Sequence, residues 1–240
     1  MKISIVGAGN GGQAIAGYLS MLGYEVSLYD RDISKIEELK SIGFIKLEGK
    51  IKGIGKVRNY TTNIEESVSD ADVVMITTIA NAHQEVAYAM APYIKEEQII
   101  VLNPGRTCGA LVFKQALKQA KCVKRYYLAE AQTLVYACRV VTPGIVNIIG
   151  VKDEVLLAAL PSADTKHVLS KLNIFYPCFK ETDNVLRTSF ENIGAIFHPC
   201  VCLFNAATIE RQNEFYFYRD MTEQVARFIE CKRVDKICIQ

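Results

Sequence analysis

Met1-Lys2-Ile3-Ser4-Ile5-Val6-Gly7-Ala8-Gly9-Asn10-Gly11-Gly12, continued by Gln13 to Leu22 and by Glu25-Val26-Ser27-Leu28-Tyr29-Asp30, decides the fold. Ile3 to Val6 is an apolar run of strand length. The glycines form a turn, Gln13 to Leu22 has helical character, and Glu25 to Tyr29 is a second short strand closed by an acid. Gly7 permits a tight turn off the strand. Gly9 lets the backbone approach a pyrophosphate with no Cβ in the way, and Gly12 lets the helix pack closely on the strand. The helix, starting near Gly11, aims its free N–H groups and positive dipole end at phosphates. Asp30 lies 18 residues after Gly12, where a carboxylate can accept the ribose hydroxyls of NAD. The cofactor-holding set read here is Gly7, Gly9, Asn10, Gly11, Gly12, Asp30 and Arg31. Asp30 repels a 2′-phosphate, whereas Arg31 and Lys35 attract one, so NAD is favoured and NADP stays admissible.

The chain has 240 residues, enough for one large domain or one full domain plus a small or partial second one. It is half hydrophobic and 22% charged, which makes it globular. A net charge of +2 gives no footprint for nucleic acid or a lipid surface. No apolar run reaches the roughly 18 to 20 residues of a membrane span. Met1-Lys2 leads straight into a strand, unlike a signal peptide. Eight cysteines form no C-x-x-C pair, and Cys200 with Cys202 lacks a second pair for zinc. They read as reduced, buried, small hydrophobes of a cytoplasmic protein, with no metal site.

Along the chain, Ile33 to Ser41 has helical spacing, and Phe44 to Val57 alternates as a small β excursion with glycine turn points. Ile64 to Ser69 is a short helix. Val73 to Ile76 and Gln98 to Leu102 are strands too apolar for a wet face, with Asn81 to Tyr93 helical between them. Ala110 to Lys121 is an amphipathic helix and Arg125 to Ala129 a strand. Leu134 to Val141 and Ile145 to Gly150 are strand candidates, Thr165 to Leu172 is a helix, and Phe175 to Phe179 a last extended piece. The alternation predicts an α/β fold, a Rossmann doubly wound parallel sheet over residues 1–182. Such sheets bind ligands beyond the carboxyl ends of their strands. The Gly7 turn and the segments Thr77 to Asn81, Asn103 to Thr107 and Glu130 to Thr133 fall there. From Asp183 only helices follow (Val185 to Phe197, Pro199 to Asn213, Met221 to Cys231), so residues 183–240 read as a partial all-α second domain.

Four segments together carry a family resemblance. They are Gly7 to Gly12, Asn103-Pro104-Gly105-Arg106, Ala129-Glu130-Ala131-Gln132-Thr133-Leu134-Val135-Tyr136-Ala137-Cys138-Arg139, and Glu191-Asn192-Ile193-Gly194-Ala195-Ile196-Phe197-His198-Pro199. The sequence resembles the octopine/nopaline (opine) dehydrogenases. The resemblance implies a Rossmann domain joined to a helical domain. It implies reductive condensation of an α-keto acid such as pyruvate with an L-amino acid, using NADH or NADPH. It also places His198 where the family's catalytic histidine sits. Family members are longer than this chain, and the part without a counterpart here is the rest of the helical domain.

Of three histidines, His83, His167 and His198, only the last carries that implication. Its imidazole suits proton exchange at neutral pH: protonated, it could polarise the keto oxygen while an amine attacks, then help shed water. Taken alone, a histidine among Ile196, Phe197, Pro199 and Val201 is more often a satisfied core residue. His83 reads as a capping or surface residue, His167 as solvent-facing. Asn192 and Asn205 are candidates to bond substrate, and Asn205 shares the face of His198 if the helix runs on. Arg106 could pair a substrate carboxylate bidentately, with Arg139 as alternative. Glu130, ending a strand on the same edge, could contact substrate or cofactor. Each has a bland alternative as surface polarity. The implied partners are the two small substrates, with no nucleic acid or membrane; a homodimer is left open. Two other readings stand beside this one. One is a reductase of the glycerol-3-phosphate or ketopantoate type, which relies on a lysine near the helical domain; none occurs between Asp183 and Cys231. The other is an NAD-binding chain that turns nothing over.

Overall fold

The computed structural model describes residues 1–191 and 194–237. They fall into two compact units, Met1–Ser189 and a helical unit from Phe190 onward. The sequence boundary at 182/183 lies seven residues earlier, because the helix that follows it is bonded into the first unit through Thr188 and Ser189.

The first unit opens with β1 (Lys2–Val6), α1 (Asn10–Met21), β2 (Glu25–Tyr29) and α2 (Ile33–Ile42). The β excursion is β3 (Ile45–Gly49), β4 (Gly53–Gly55) and β5 (Asn59–Thr61). Then come α3 (Ile64–Val68), β6 (Val73–Ile76), α4 (His83–Met90), β7 (Gln98–Leu102), α5 (Gly109–Gln119) and β8 (Tyr126–Ala131). A hairpin, β9 (Tyr136–Thr142) and β10 (Ile145–Val151), precedes β11 (Val155–Ala159), α6 (Thr165–Leu172), β12 (Phe179–Glu181) and α7 (Val185–Phe190).

Two sheets result. The main one has the order β12-β11-β8-β7-β6-β1-β2-β5. Six strands from β8 to β5 are parallel, as the pattern predicts. β11 then runs antiparallel to β8. No sequence signal marked β11, whose apolar run Val155-Leu156-Leu157-Ala158-Ala159 has no period that separates strand from helix. Phe175 and Tyr176 form a turn that closes α6 and not a strand; the extended piece begins at Phe179. One face of the sheet packs Ile3, Ile5, Met75 and Val101 with α1 and α6, the other Val74, Ile76, Ile100 and Leu102 with α4 and α5. Strand order reverses between β1 and β6, so a crevice opens at the carboxyl ends of those two strands.

The second sheet has the order β4-β3-β10-β9, with β10 parallel to β3. Helix α1 lies between the two sheets. A Cβ on Gly12 would stand 1.7 Å from the Gly7 carbonyl oxygen, and one on Gly17 would stand 2.7 Å from Ile45 Cγ2 of β3. On β4, a Cβ on Gly55 would stand 2.1 Å from the Gly17 carbonyl oxygen. Only residues without side chains permit both approaches.

The helical unit holds α8 (Gly194–Phe204), which runs through Pro199, then α9 (Ala206–Glu210) and α10 (Glu223–Ile237). Its buried apolar residues are Val201, Val225 and Ile229, with Phe197, Phe215 and Phe217 packed against them. Among the described residues no helix is long and apolar enough to cross a membrane. The cysteines differ from expectation. Cys202 and Cys231 are exposed and five others half-buried, all as free thiols.

Gly55→Ala is expected to cost about 1–3 kcal/mol by overpacking against α1. Urea denaturation reads this as a lower midpoint at unchanged slope. An unaltered midpoint would show that the second sheet yields at this contact.

Candidate cofactor and substrate site

Helix α1 starts at the switch-point crevice, and its first N–H groups have no partners within the helix. Gly7 turns with φ +109°, where a side chain would be strained. Thr77 fixes the turn by donating to the Gly7 carbonyl at 2.8 Å. A Cβ built on Gly9 meets nothing within 4 Å, so it would project into open space above the helix start. At Gly11 close packing adds a second requirement: a Cβ there would meet Leu134 at 2.9 Å. Asn10 likewise turns away, its side-chain oxygen accepting from the Val140 N–H at 2.7 Å.

Beside the glycines lies a cleft of about 270 Å³ lined by Gly7, Gly9, Asp30, Lys35, Thr78 and Ile79, among others. Asp30 accepts from the Ala8 N–H at 2.8 Å and the Asp32 N–H at 3.1 Å and pairs with Lys35 at 3.1 Å. Arg31 pairs with Glu85 at 2.9 Å. Both cations that could have drawn a 2′-phosphate therefore already face a carboxylate. Further along the edge, Thr78 Oγ1, His83 Nε2 and both amide atoms of Asn103 are buried with no protein partner. His83 is 1% exposed, contrary to the surface reading, and burial pulls its imidazole below the ordinary histidine range. Vacant backbone donors, an open Gly9 cradle, an acid at the end of β2 and unpartnered polar atoms together fit a dinucleotide.

Glu130 has both carboxylate oxygens bonded within the protein. It is fully buried beneath Gly105, where a Cβ would stand 2.5 Å from its Oε2. Oε2 accepts from the Ala110 N–H at 2.8 Å, and Oε1 lies 2.5 Å from Thr188 Oγ1 and 2.7 Å from Ser189 Oγ. Ser189 in turn accepts from the Cys108 N–H. The carboxyl thus joins β8, α5 and α7. Burial raises its pKa. The bonds donated by Thr188, Ala110 and Ser189 oppose that rise, and Thr188 Oγ1 also lies 2.9 Å from the Val185 carbonyl oxygen.

Arg106 stands exposed on the loop after β7, with φ +61°. The Gly105 N–H donates to the Ala131 carbonyl, which ties this loop to the end of β8. Arg139 lies elsewhere, on edge strand β9 of the second sheet. It alternates away from Cys138 and Val140, which pack on the core. Sequence reading missed Lys152. Its Nζ donates to Thr133 Oγ1 at 2.6 Å, a contact 19 residues apart that no motif announces.

In the helical unit His198 is exposed on α8. Its Nδ1 lies 3.0 Å from the Gly194 carbonyl oxygen. A carbonyl only accepts, so Nδ1 carries a proton and Nε2 is the nitrogen left for proton exchange. The ring sits 5.3 Å from that of Phe217. Asn205 does not join it, because α8 ends at Phe204 and the Asn205 amide donates back to the Val201 carbonyl at 2.9 Å. Asn192 lies outside the described residues. Among the described residues no group of three or more His, Cys, Asp or Glu could hold a metal ion.

The geometry agrees with what the chain is similar to. Residues 181–236 match the model for the α-helical domain of NAD/NADP octopine/nopaline dehydrogenases, and residues 3–107 that for ketopantoate reductase PanE/ApbA. An opine dehydrogenase from Arthrobacter sp. (strain 1C) is 34% identical over 238 residues, 98% of this chain and 66% of that protein. The chain belongs to the opine dehydrogenase family. Octopine dehydrogenase from Pecten maximus is 28% identical over 84% of the chain and 53% of its own length. A solved octopine dehydrogenase, in complex with NADH and agmatine, superimposes with a TM-score of 0.72 at 25% identity, covering 85% of this chain and 53% of that one. This opine dehydrogenase family chain therefore spans between about half and two thirds of these relatives.

The raised pKa of Glu130 makes a signed prediction. The folded state binds the proton more tightly than the unfolded chain. The contribution of Glu130 to stability is therefore full at low pH and falls as pH rises from the ordinary carboxylate value of 4.5 through the raised one. Glu130→Gln, which mimics the protonated form, should remove that slope in denaturation measured across this range. Glu130→Ala should cost about 3 kcal/mol, since it strands buried donors. A slope that survives in Glu130→Gln would place the titration elsewhere.

Proposed function

We propose that the chain carries out NAD(H)-dependent reductive condensation of an α-keto acid with the amino group of an L-amino acid. The observation that carries this reading is His198: an exposed imidazole whose Nδ1 is fixed on the Gly194 carbonyl and whose Nε2 is available, in a chain whose first unit fits a dinucleotide. The family supports it, as does the complex of a solved octopine dehydrogenase with NADH and agmatine.

The N–H groups at the start of α1 and the open Gly9 position hold the pyrophosphate, and Asp30 accepts from the ribose. Arg31 and Lys35, already paired with Glu85 and Asp30, leave little attraction for a 2′-phosphate, which favours NAD over NADP. Arg106 holds the keto acid by its carboxylate through a charge-assisted pair. His198 Nε2 relays, one after the other, the two protons that pass from the amine nitrogen to the keto oxygen, so that the oxygen departs as water and a C=N bond is left. Bound nicotinamide supplies the hydride that completes the reduction.

NADH oxidation with pyruvate and a panel of L-amino acids tests the reading directly. NADH consumption that requires both substrates supports it; tight NADH binding with no turnover across the panel counts against it. His198→Ala should lower turnover at least about a hundredfold, the usual scale of a lost acid/base, while NADH affinity holds. Equal loss of both would give His198 a folding role instead. Asp30→Asn should weaken NADH more than NADPH in equilibrium titration, and an equal effect would remove Asp30 from cofactor choice.

A further inference from the structure

One face of the main sheet changes character half-way across. Ser4, Ser27 and Asn59 stand in register on β1, β2 and β5, and the same row continues through Val74, Ile100 and Leu128 on β6, β7 and β8. A parallel sheet covered on both faces carries aliphatic side chains at such positions. Three neighbouring strands here carry two hydroxyls and an amide instead. Helix α3, on this side, has only five residues. Beside it lies a cavity of about 350 Å³, the size of a small-molecule pocket. It sits at the amino ends of β1 and β2, whereas Gly7 and Asp30 follow their carboxyl ends.

The floor of the cavity is polar and neutral. Asn59 Nδ2 donates to Ser27 Oγ at 3.2 Å, which leaves the Asn59 amide oxygen as an acceptor and the Ser27 hydroxyl proton as a donor. Ser67 is held in place by its buried bond to Ser4, 2.7 Å between the two hydroxyl oxygens. The rim carries two ion pairs, Lys2 with Asp70 and Arg58 with Glu25, and Lys2 and Glu25 are neighbours in the register. All four side chains are substantially exposed. Ion pairs in contact with water are weak enough to open for a better-placed partner.

We propose that this cavity binds a free α-amino acid with a short polar side chain, at a site separate from the crevice that fits the dinucleotide. The zwitterion enters the Arg58–Glu25 pair. Its carboxylate takes the Arg58 guanidinium through two N–H donors, and its ammonium takes the Glu25 carboxylate. The polar side chain meets Ser27 and Asn59. A ligand with a single charge would open the same pair and satisfy only one half of it, leaving the other member without a partner. The site goes beyond the catalytic reading and stands or falls without it.

The test follows backbone amide shifts of the full chain, free of NADH, on titration with L-serine. The controls are 3-hydroxypropionate and ethanolamine, which keep the hydroxyl and one charge each. Saturable shifts are expected at Ser27, Asn59 and Ser67, with L-serine at least about tenfold tighter than either control, the scale of one charge-assisted contact. Arg58→Gln and Asn59→Leu should each weaken L-serine, the first by at least about tenfold, while thermal melts and the remaining amides show both variants folded. His198→Ala should leave L-serine binding at these amides unchanged. Absence of saturable shifts at the three residues overturns the proposal, as does a response confined to the helical unit. Equal binding of 3-hydroxypropionate overturns it in favour of a simple anion site, and unchanged affinity in Arg58→Gln overturns it by removing the carboxylate contact.

Discussion

A helix squeezed between two sheets is the constraint on which the rest depends. Helix α1 touches the main sheet at Gly12, against the Gly7 carbonyl, and the second sheet at Gly17, against Ile45 and Gly55. Ala14 and Ala16 add no bulk between these points, while Ile15 and Leu19 fill the core. A helix with ordinary side chains on both sides would sit farther from each sheet. Its first turn would then rise out of the crevice between β1 and β6, and the vacant N–H groups would no longer stand at the switch point.

Polar side chains complete what the glycines begin. Gln13 is buried and bonds in two directions, donating to the Ala8 carbonyl at 2.9 Å and accepting from the Gly144 N–H at 3.1 Å. Asn10 reaches the Val140 N–H. Glu130 does the same service at the other end of the crevice, joining β8, α5 and α7 under the loop that presents Arg106. Buried groups of this kind are costly when half-satisfied and specific when fully bonded. They hold the loops at the carboxyl edge in one arrangement.

Much of this was readable from the sequence, and the parts that were not share a cause. The β1–α1–β2 unit, the parallel strands β6 and β7, and the roles of Gly7 and Gly12 follow from local pattern. Local pattern did not show that β3 pairs with β10, about a hundred residues away, to make a second sheet. Nor did it show that Gly11 lies against Leu134, just ahead of the hairpin. Glu130 looked like an exposed acid at a strand end, because nothing local shows that Thr188 and Ser189 close over it. Lys152 carried no motif at all. Helix α8 continued through Pro199, where propensity argues for a break, but ended at Phe204, before Asn205 could share the face of His198.

The bonds from Asn10 and Gln13 to Val140 and Gly144 have a consequence for cooperativity. Both donors of these bonds belong to the β9–β10 hairpin, and both acceptors to the first turn and a half of α1. The hairpin therefore cannot peel from the molecule while the helix start stays intact. The two sheets form one unfolding unit, not a stable platform with a loose appendage. A ligand that orders the helix start would be felt in the amides of a strand it never touches.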